Sequence, residues 1–365
     1  MKIAYLLDWD IVSNSGVLNK VEMQVKMWES EGNEVFVCFT SYRTDNKFLI
    51  DVRHLRVFER SRLSLLYFNS LRTFIGKALS FQEVLQYLKE IKPEIIYYRQ
   101  GGMWFPYLDK ILRSFPSIME VNSLDLKEIE LSYSLINKLI YKYGRKRIIN
   151  AVKGFVTVTN EIGQQFHAYK KPIEVIANGI RPINKITASN STKKSIDLIF
   201  VGSPGQPWQG EDAVVHMAAL LPEFNFHIVG FYDDDHPAQS NVHFYGYLNK
   251  QELSELYQNM DIGIGTLALY RKGMKEACPL KVREYLSWGL PIIIGYDDTD
   301  FKDVPFALNI GCYANNVSEH IDEIRNFIIQ WKGKRVSEDM YMPLIGVEFK
   351  ERRRLAFFDQ TSTLS

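Results

Sequence analysis

The chain has 365 residues, 46% of them hydrophobic and 13% aromatic, and its 44 Lys and Arg nearly balance its 43 Asp and Glu. This length exceeds one ordinary domain core, so two domains are expected. The net charge of +1 excludes the strongly basic footprint of a typical nucleic-acid binder, and no apolar run approaches the ~20 residues of a membrane span.

The N-terminal residues and the cysteines predict the cellular compartment. The first apolar stretch is interrupted by Asp8 and Asp10 before it could form a complete signal-peptide core. The three cysteines, Cys38, Cys278 and Cys312, have neither metal-ligand spacing nor a disulfide framework. A cytoplasmic protein with reduced thiols is therefore expected.

The first half of the chain alternates between strand and helix patterns. Residues 2–9 form a continuous apolar run of strand length, residues 17–31 carry apolar side chains at helical spacing, and residues 34–40 again read as a strand. Gly32 is placed to end the helix. This βαβ opening favours a parallel sheet covered by helices. Further strands are predicted at 94–99, 117–122 and 154–159.

A polar segment, residues 178–195, is rich in Gly, Pro, Asn, Ser and Thr, as is typical of a linker. The alternation then restarts, which predicts a second doubly wound α/β domain. Its predicted elements are strands at 196–202, 225–230, 242–248, 261–267 and 291–295 and helices at 211–221 and 251–260. A terminal helix at 344–360 is expected to pack back on the first domain. The domains are thus predicted to span 1–180 and 181–343, with 344–365 as the returning segment.

The stretch KEACPLKVREYLSWGLP, residues 275–291, places two glutamates on either side of a predicted helix start. The helix is expected to run from Pro279, a favoured first helical residue, to Trp288. The backbone N–H groups of Leu280 and Lys281, the helix macrodipole and the Lys281 ammonium then form an anion site suited to a diphosphate.

The two glutamates suggest what lies beside the phosphates. Glu284, about one turn into the helix, is placed to accept hydrogen bonds from the vicinal hydroxyls of a ribose. Glu276, before the helix, then faces the group attached beyond the phosphates, and a sugar there offers hydroxyls. Taken alone, the pair is better explained as two solvated acids, and two carboxylates are also the catalytic apparatus of glycosidases. The phosphate site between them favours a nucleotide sugar.

Together with neighbouring motifs, this stretch resembles the donor-binding motif of the retaining GT-B glycosyltransferases of family four. The pattern E-x7-E is followed by an apolar helix, Gly-Leu-Pro and a strand, and three other segments match family motifs: VIANGI (175–180), IFVGS (199–203) and VHFYGYL (242–248). The resemblance spans nearly the whole chain and is strongest from 154 to 295. It implies a GT-B fold, which is an α/β architecture of two Rossmann-like doubly wound domains facing a central cleft.

The resemblance also implies a reaction. A hexose-type sugar is transferred with retention from a nucleoside-diphosphate sugar to a glycan or lipid-linked acceptor, in cell-surface polysaccharide biosynthesis. The C-terminal domain mainly binds the donor and the N-terminal domain mainly binds the acceptor. Family members attack from the front face, with the leaving phosphate taking the acceptor proton, so neither a metal nor another cofactor is expected, and nucleic acid is not an expected partner.

Residue by residue, the resemblance places Glu276 on the donor sugar, Glu284 on the ribose, and Gly202 with Lys281 on the phosphates. The catalytic set is Glu276, Asn122 and Lys281, in which Asn122 stands where relatives often carry a His. The remaining predicted donor-binding positions are Gly16, Ser203, Arg271, Cys278, Pro279, Leu280 and Tyr247.

Two cations that grip the diphosphate in many relatives are replaced here by Ser203 and Gln209. Lys281, and next Arg271, are the predicted substitutes for them. The replaced cations are also the only support for a rival interpretation, an inactive GT-B scaffold that binds a partner in a glycan assembly complex. A nucleotide-sugar epimerase of related architecture is the other alternative. In the first domain, Arg99 at the end of a predicted strand is a further cleft candidate.

Residues 53–79 and 135–154 interleave Lys and Arg with apolar and aromatic residues. In the second segment one helical stripe is apolar, as in a helix lying on an anionic membrane. That stripe is Leu135, Leu139, Ile140 and Tyr143. Peripheral attachment through these segments would place the protein at the inner face of the membrane. The alternative is a core-facing stripe with a solvated basic back.

An acidic segment, YDDDHP at residues 232–237, resembles the metal-binding Asp-x-Asp of the other glycosyltransferase fold. It directly follows a predicted strand, where an acidic turn is commonplace. A surface turn is therefore the favoured interpretation, and no metal ligand is predicted.

Overall fold

The computed structural model describes residues 1–12, 15–41, 43–59, 69–101, 104–132, 135–182, 195–232 and 239–363. The chain divides into two compact units, Met1–Ile176 with Val347–Ser365, and Ala177–Gly346. The boundaries predicted at 180/181 and 343/344 therefore lie a few residues away from those of the structure. The central part of the predicted linker, residues 183–194, lies outside the described residues.

Strands and helices alternate along the described chain. The strands are β1 (Lys2–Asp8), β2 (Glu34–Ser41), β3 (His54–Glu59), β4 (Ile95–Arg99), β5 (Ser117–Val121), β6 (Gly154–Thr157), β7 (Ile173–Val175), β8 (Asp197–Val201), β9 (Asn225–Val229), β10 (Val242–Phe244), β11 (Ile262–Ile264), β12 (Glu276–Ala277), β13 (Ile292–Ile294), β14 (Asp297–Asp298) and β15 (Ala307–Asn309). The helices are α1 (Gly16–Ser30), α2 (Asn69–Ile91), α3 (Leu108–Ser114), α4 (Asp125–Ser132), α5 (Leu135–Ala151), α6 (Asn160–Gln164), α7 (Glu211–Leu220), α8 (Lys250–Gln258), α9 (Leu280–Ser287), α10 (Asn316–Glu319), α11 (Ile321–Trp331), α12 (Glu338–Ile345) and α13 (Val347–Ser362).

The first unit is built on a parallel sheet of strand order β3-β2-β1-β4-β5-β6-β7. The central strand β1 is apolar and buried along its whole middle, as expected where helices cover both faces of a parallel sheet. The strand order reverses between β1 and β4, and in doubly wound sheets ligands bind beside the carboxyl ends of the strands at such a reversal.

The second unit repeats this plan with a parallel sheet of order β10-β9-β8-β11-β13-β15 and a separate parallel pair, β12 with β14. Here the order reverses between β8 and β11. The predicted α/β class, with two Rossmann-like parallel-sheet domains, is confirmed.

Sequence patterns missed the edge strands β3, β7 and β15 and placed the ends of some other strands too late. β3 was not predicted because charged, exposed residues interrupt its apolar side chains, as is usual at the edge of a sheet. The strand predicted at 242–248 ends at Phe244. Gly246 has a φ of 59°, and a Cβ there would lie 2.5 Å from the Tyr232 ring, so the backbone turns where only glycine fits.

The C-terminal segment contains two helices rather than the single predicted one. The helix α12 ends at Ile345 and α13 begins at Val347, since Gly346 between them is extended, with a ψ of 130°. The helix α13 belongs to the first unit, where Trp28 of α1 donates a hydrogen bond from Nε1 to Oε2 of Glu351 at 2.8 Å. This buried bond fixes α13 against α1.

Candidate active site

The helix α9 begins at Leu280, one residue later than predicted. Pro279 precedes it with a φ of −64° but an extended ψ of 141°, so it is the N-cap residue and not the first helical one. Among the described residues, no side chain caps the first turn of this helix. Its backbone N–H groups and the positive end of its dipole therefore lack a side-chain acceptor, which is the arrangement that binds anions at helix N-termini. The helix ends at Ser287, and Gly289 follows with a φ of 70°.

Glu276, before the helix, lies on the short strand β12. The strand β12 pairs in parallel with β14, so that Glu276 is opposite Asp297. Between this strand and α9, the buried Cys278 is held through its carbonyl oxygen, which accepts a hydrogen bond from Asn178 Nδ2 at 2.7 Å. Glu276 is half-buried. The strand pairing fixes the backbone of Glu276, three residues before Pro279.

A buried arginine in α9, which the sequence analysis missed, connects this helix to β14. Arg283 is fully buried and forms a bidentate ion pair with Asp298, in which the bond from Nη2 to Oδ1 measures 2.7 Å. Arg283 Nη2 also donates to Asp300 Oδ2 at 2.8 Å, and Nε donates to the Asn178 carbonyl oxygen at 3.3 Å. Because β14 pairs with β12, this cluster positions Glu276 relative to the start of α9.

Glu284 lies one turn into α9 and is half-buried. Burial raises the pKa of its carboxyl above the usual range, while Lys250 and Tyr257 act in the opposite direction. A carboxylate in such a partly desolvated place gains more from hydroxyl donors than one in bulk water, because water competes less for it.

The loop after β8 requires glycine at its first position. A Cβ on Gly202 would lie 2.5 Å from the Phe231 ring and 2.8 Å from Gln209 Oε1. Gln209 Oε1 accepts a hydrogen bond from the Ser203 backbone N–H at 3.1 Å. Gln209, at one of the replaced cation positions, therefore holds the loop and contributes no charge.

Lys281 does not extend outward from the tip of α9. Its ammonium donates a hydrogen bond to the Val201 carbonyl oxygen at 3.0 Å and lies 4.1 Å from the centre of the Phe200 ring. The ammonium thus reaches the carboxyl end of β8, immediately before Gly202. Burial lowers the pKa of Lys281 to about 7. The Lys281 amine of α9 therefore lies beside the loop after β8, in which Ser203 and Gln209 replace the cations of many relatives.

In the first unit, two predicted residues lie at the start of α1 and the end of β5. Gly16 is the first residue of α1, and the hydroxyl of the preceding Ser15 accepts a hydrogen bond from the N–H of Leu18 at 3.2 Å. Asn122 directly follows β5, and its Oδ1 accepts a hydrogen bond from Lys20 Nζ at 3.2 Å. Gly16 and Asn122 therefore both lie near the carboxyl ends of the neighbouring strands β1, β4 and β5.

Comparison with known families fits this geometry. Residues 15–182 match the family model described as Glycosyltransferase Family 4, and residues 195–304 match the one described as Glycosyl transferases group 1. The chain is a GT-B glycosyltransferase of the family-four type. Among curated proteins, none matches the sequence of this glycosyltransferase.

Solved structures show the same fold at low sequence identity. Sucrose-phosphate synthase from Thermosynechococcus elongatus is 14% identical, with a TM-score of 0.71 and coverage of 99% of both chains. The lipopolysaccharide outer core galactosyltransferase WaaB is 16% identical, with a TM-score of 0.68 and coverage of 99% of this chain and 100% of the other. Anabaena HepE in complex with UDP and glucose is 13% identical, with a TM-score of 0.65 and full coverage of both chains.

Two predicted donor-site residues of this glycosyltransferase have structural features that the sequence did not indicate. Arg271 forms a bidentate ion pair with Asp212, at 2.8 Å and 2.7 Å, and also donates to the Pro207 carbonyl oxygen at 2.9 Å. Its charge is therefore already balanced, which leaves Lys281 as the stronger candidate for a diphosphate cation. Tyr247 lies beyond the end of β10 and its surface is 75% exposed, so an approaching ring can reach it.

Two structural features bear on a metal in this glycosyltransferase. Within the described ranges, no group of three or more His, Cys, Asp or Glu side chains is arranged to hold a metal ion. Most of the acidic segment at 232–237 lies outside those ranges. Asp298 and Asp300 both accept hydrogen bonds from Arg283 and share its single positive charge.

Proposed function

We propose that this glycosyltransferase transfers a hexose-type sugar from a nucleoside-diphosphate sugar to a glycan or lipid-linked acceptor, with retention of configuration, in cell-surface polysaccharide biosynthesis. The observation that carries the proposal is the α9 start without a side-chain cap, preceded by Glu276, followed by Glu284, and flanked by the Lys281 ammonium and Gly202. The name of WaaB, a galactosyltransferase of the lipopolysaccharide outer core, and the UDP and glucose bound to HepE support this choice of chemistry.

Each group at the α9 start has one role in the proposal. The backbone N–H groups of the first turn and the Lys281 ammonium bind the diphosphate, and Gly202 lets the backbone approach it closely. Glu284 accepts hydrogen bonds from the ribose hydroxyls, and Glu276 from the hydroxyls of the donor sugar. Asn122 remains a predicted contact of the donor sugar.

The proposed reaction needs neither a separate base nor a metal. The bond from the anomeric carbon to the phosphate oxygen breaks, and the acceptor oxygen bonds to that carbon on the same face. The proton of the acceptor hydroxyl passes to the departing phosphate oxygen. The protein contributes positioning and stabilisation of the developing negative charge on the diphosphate, which are effects of several kcal/mol in enzymes of known energetics.

The direct test is a screen of nucleoside-diphosphate sugars. Thermal-shift measurements with uridine, guanosine, adenosine and thymidine diphosphate sugars identify the donor, and nucleotide release is then measured with and without glycan acceptors. Acceptor-dependent release is expected. A scaffold without turnover, which the replacement of two cations by Ser203 and Gln209 would favour, binds a nucleotide but releases nothing with any acceptor. Conversion of the donor to its epimer without acceptor would identify an epimerase.

Replacing Glu284 by alanine is expected to weaken binding of the nucleoside diphosphate by about 10- to 100-fold, because the hydroxyls of the ribose lose a charged acceptor. Calorimetry with the nucleotide identified in the screen measures this. Glu255→Ala, on the exposed face of α8 in the same unit, is the control and should leave the affinity unchanged. Unaltered affinity in Glu284→Ala would refute the ribose assignment.

Nucleotide affinity is expected to fall as the pH rises above about 7, by up to about tenfold per pH unit. The reason is the lowered pKa of Lys281: above pH 7 the free protein holds this amine mainly neutral, while a bound diphosphate favours the ammonium. Binding in alkaline buffer should therefore take up a proton, which calorimetry detects by comparing buffers of different ionisation enthalpy. Lys281→Met should bind weakly and lose this pH dependence. A flat pH profile of the native protein would exclude Lys281 from the diphosphate site.

Membrane attachment is proposed through one helix only. On α5, Leu139 is 62% exposed and Tyr143 is 59% exposed, with Ile140 and Lys142 also on the surface. The alternative of a core-facing stripe is therefore wrong for these residues. The other basic segment, residues 53–79, fits membrane attachment less well.

In that segment, Lys77 is 1% exposed and donates to the Thr40 carbonyl oxygen at 2.8 Å, and residues 60–68 lie outside the described ranges. Among the helices of the described ranges, none has the length and apolar character needed to cross a membrane.

The native protein is expected to sediment with vesicles of anionic phosphatidylglycerol and to be released by salt, because both apolar contact and charge attraction contribute. Tyr143→Asp should abolish sedimentation. Phe349→Asp, which changes a similarly exposed aromatic residue on α13, is the matched control and should still sediment. Equal sedimentation with and without vesicles would exclude attachment.

A further inference from the structure

The first unit contains a buried charged cluster that the proposed donor site does not use. Glu120 in β5 is fully buried, and its two carboxylate oxygens have different cationic partners. Lys20 of α1 donates to Oε1 at 2.6 Å, and Arg99 at the end of β4 donates from Nη1 to Oε2 at 3.0 Å. The Lys20 side chain is 4% exposed and the Arg99 side chain 12% exposed. The cluster lies at the carboxyl ends of adjacent strands, beside the reversal of strand order.

The cluster holds more positive than negative charge. Two cations share the single carboxylate of Glu120, and although burial opposes its ionisation, Lys20 and Arg99 hold the pKa of Glu120 well below its usual range. Another buried acid of the first unit, Glu351 of α13, does not balance the surplus. It is bonded to Arg354, whose Nε donates to it at 2.8 Å, and that pair is neutral by itself. An uncompensated charge in a buried site lowers the stability of the folded protein unless an anion or water reaches it.

Arg99 retains donors for such an anion. Among the described residues, its guanidinium makes one hydrogen bond, from Nη1 to Glu120, so Nε and Nη2 have no acceptor there. Lys20 also fixes the orientation of Asn122: because Lys20 is only a donor, the amide directs Oδ1 towards Lys20 and Nδ2 elsewhere. Within the part of the chain that the structure describes, donors without acceptors therefore remain on Arg99 and on Asn122. Glu120 is the positioning residue that holds Arg99 and Lys20.

We propose that Arg99 binds an oxyanion on the acceptor, either a carboxylate or a phosphate group. A guanidinium held at one corner offers two parallel N–H groups that match the geometry of either group, and charge-assisted hydrogen bonds of this kind are strong in partly buried places. The assignment to the acceptor rests on the proposed glycosyltransferase function, which it deepens by specifying an acidic acceptor. The anion site itself is measurable without turnover.

The experiment uses the full-length protein saturated with its nucleoside diphosphate, so that the start of α9 is occupied and cannot bind the probes. D-glucuronate is titrated by saturation-transfer NMR and inorganic phosphate by phosphorus line broadening, with D-glucose as the neutral control. We expect both anions to bind and glucose not to bind. Arg99→Met should weaken binding by about tenfold or more, and Arg99→Lys should retain part of it. Arg113→Met, an exposed arginine of α3 in the same unit, should change nothing.

Failure to bind either anion in the native protein, or equal binding in Arg99→Met, would overturn the proposal. A folded Arg99→Met protein is expected because Glu120 keeps its bond to Lys20, and its thermal unfolding midpoint checks this. If Arg99→Met loses anions but keeps nucleotide affinity, the anion site is supported independently of the donor site. If no donor sugar is ever transferred while anions still bind at Arg99, the site stands and only its assignment to an acceptor is overturned.

Discussion

Arg283→Met is expected to lower the free energy of unfolding of the second unit by about 3–5 kcal/mol. The substitution preserves much of the side-chain volume but leaves the buried Asp298, and Asp300 beside it, without the guanidinium that they share. It also removes the donor to the Asn178 carbonyl oxygen. Urea denaturation, followed by a signal from the second unit, measures the loss.

The control for this substitution is Arg325→Met in the same unit. Arg325 also pairs with two acids, Glu223 at 2.9 Å and Asp322 at 3.1 Å, but on the protein surface. A surface pair of this kind contributes up to about 1 kcal/mol. If the two variants are equally stable, the buried cluster does not hold α9 against β14. Arg283→Lys, which keeps the charge but loses the bidentate geometry, should fall between the native protein and Arg283→Met.

Glu276→Gln is expected to reduce the rate of sugar transfer by roughly 10²-fold or more, since a charged group aimed at the reacting sugar is worth that much in enzymes where one has been removed. The affinity for the nucleoside diphosphate without its sugar should stay within about twofold, because Glu276 lies before the α9 start and is proposed to touch only the sugar. Steady-state transfer assays and calorimetry measure the two quantities separately.

This separation distinguishes the two glutamates. Glu284→Ala should weaken both the nucleotide and the nucleotide sugar, whereas Glu276→Gln should affect only complexes that contain the sugar. Glu338→Gln, at an exposed position in α12, is the matched control. Loss of nucleotide affinity in Glu276→Gln would mean that the two carboxylates do not divide sugar and ribose as proposed.

The predicted and observed α9 regions differ in informative ways. The helix, the glycine after it and the lack of a side-chain cap were predictable, because they follow from residues within one short stretch. The direction of the Lys281 side chain was not, since its acceptor, Val201, is 80 residues away in the chain. The same holds for Arg283. Its position within a helix gave no sign of full burial, although the cluster of aspartates in residues 297–300 was a signal that it had partners.

The sequence alone determined the class of fold, because strands buried on both faces of a parallel sheet are continuous apolar runs and amphipathic helices repeat every three to four residues. It also determined the α9 motif, since the proline before the helix, the glycine after it and the two flanking acids all lie within one short stretch. Only the tertiary structure decided which charges neutralise one another. Arg271 is balanced by Asp212, and Lys20 and Arg99 share Glu120, because side-chain partners are chosen by the packing of segments that lie far apart in the chain.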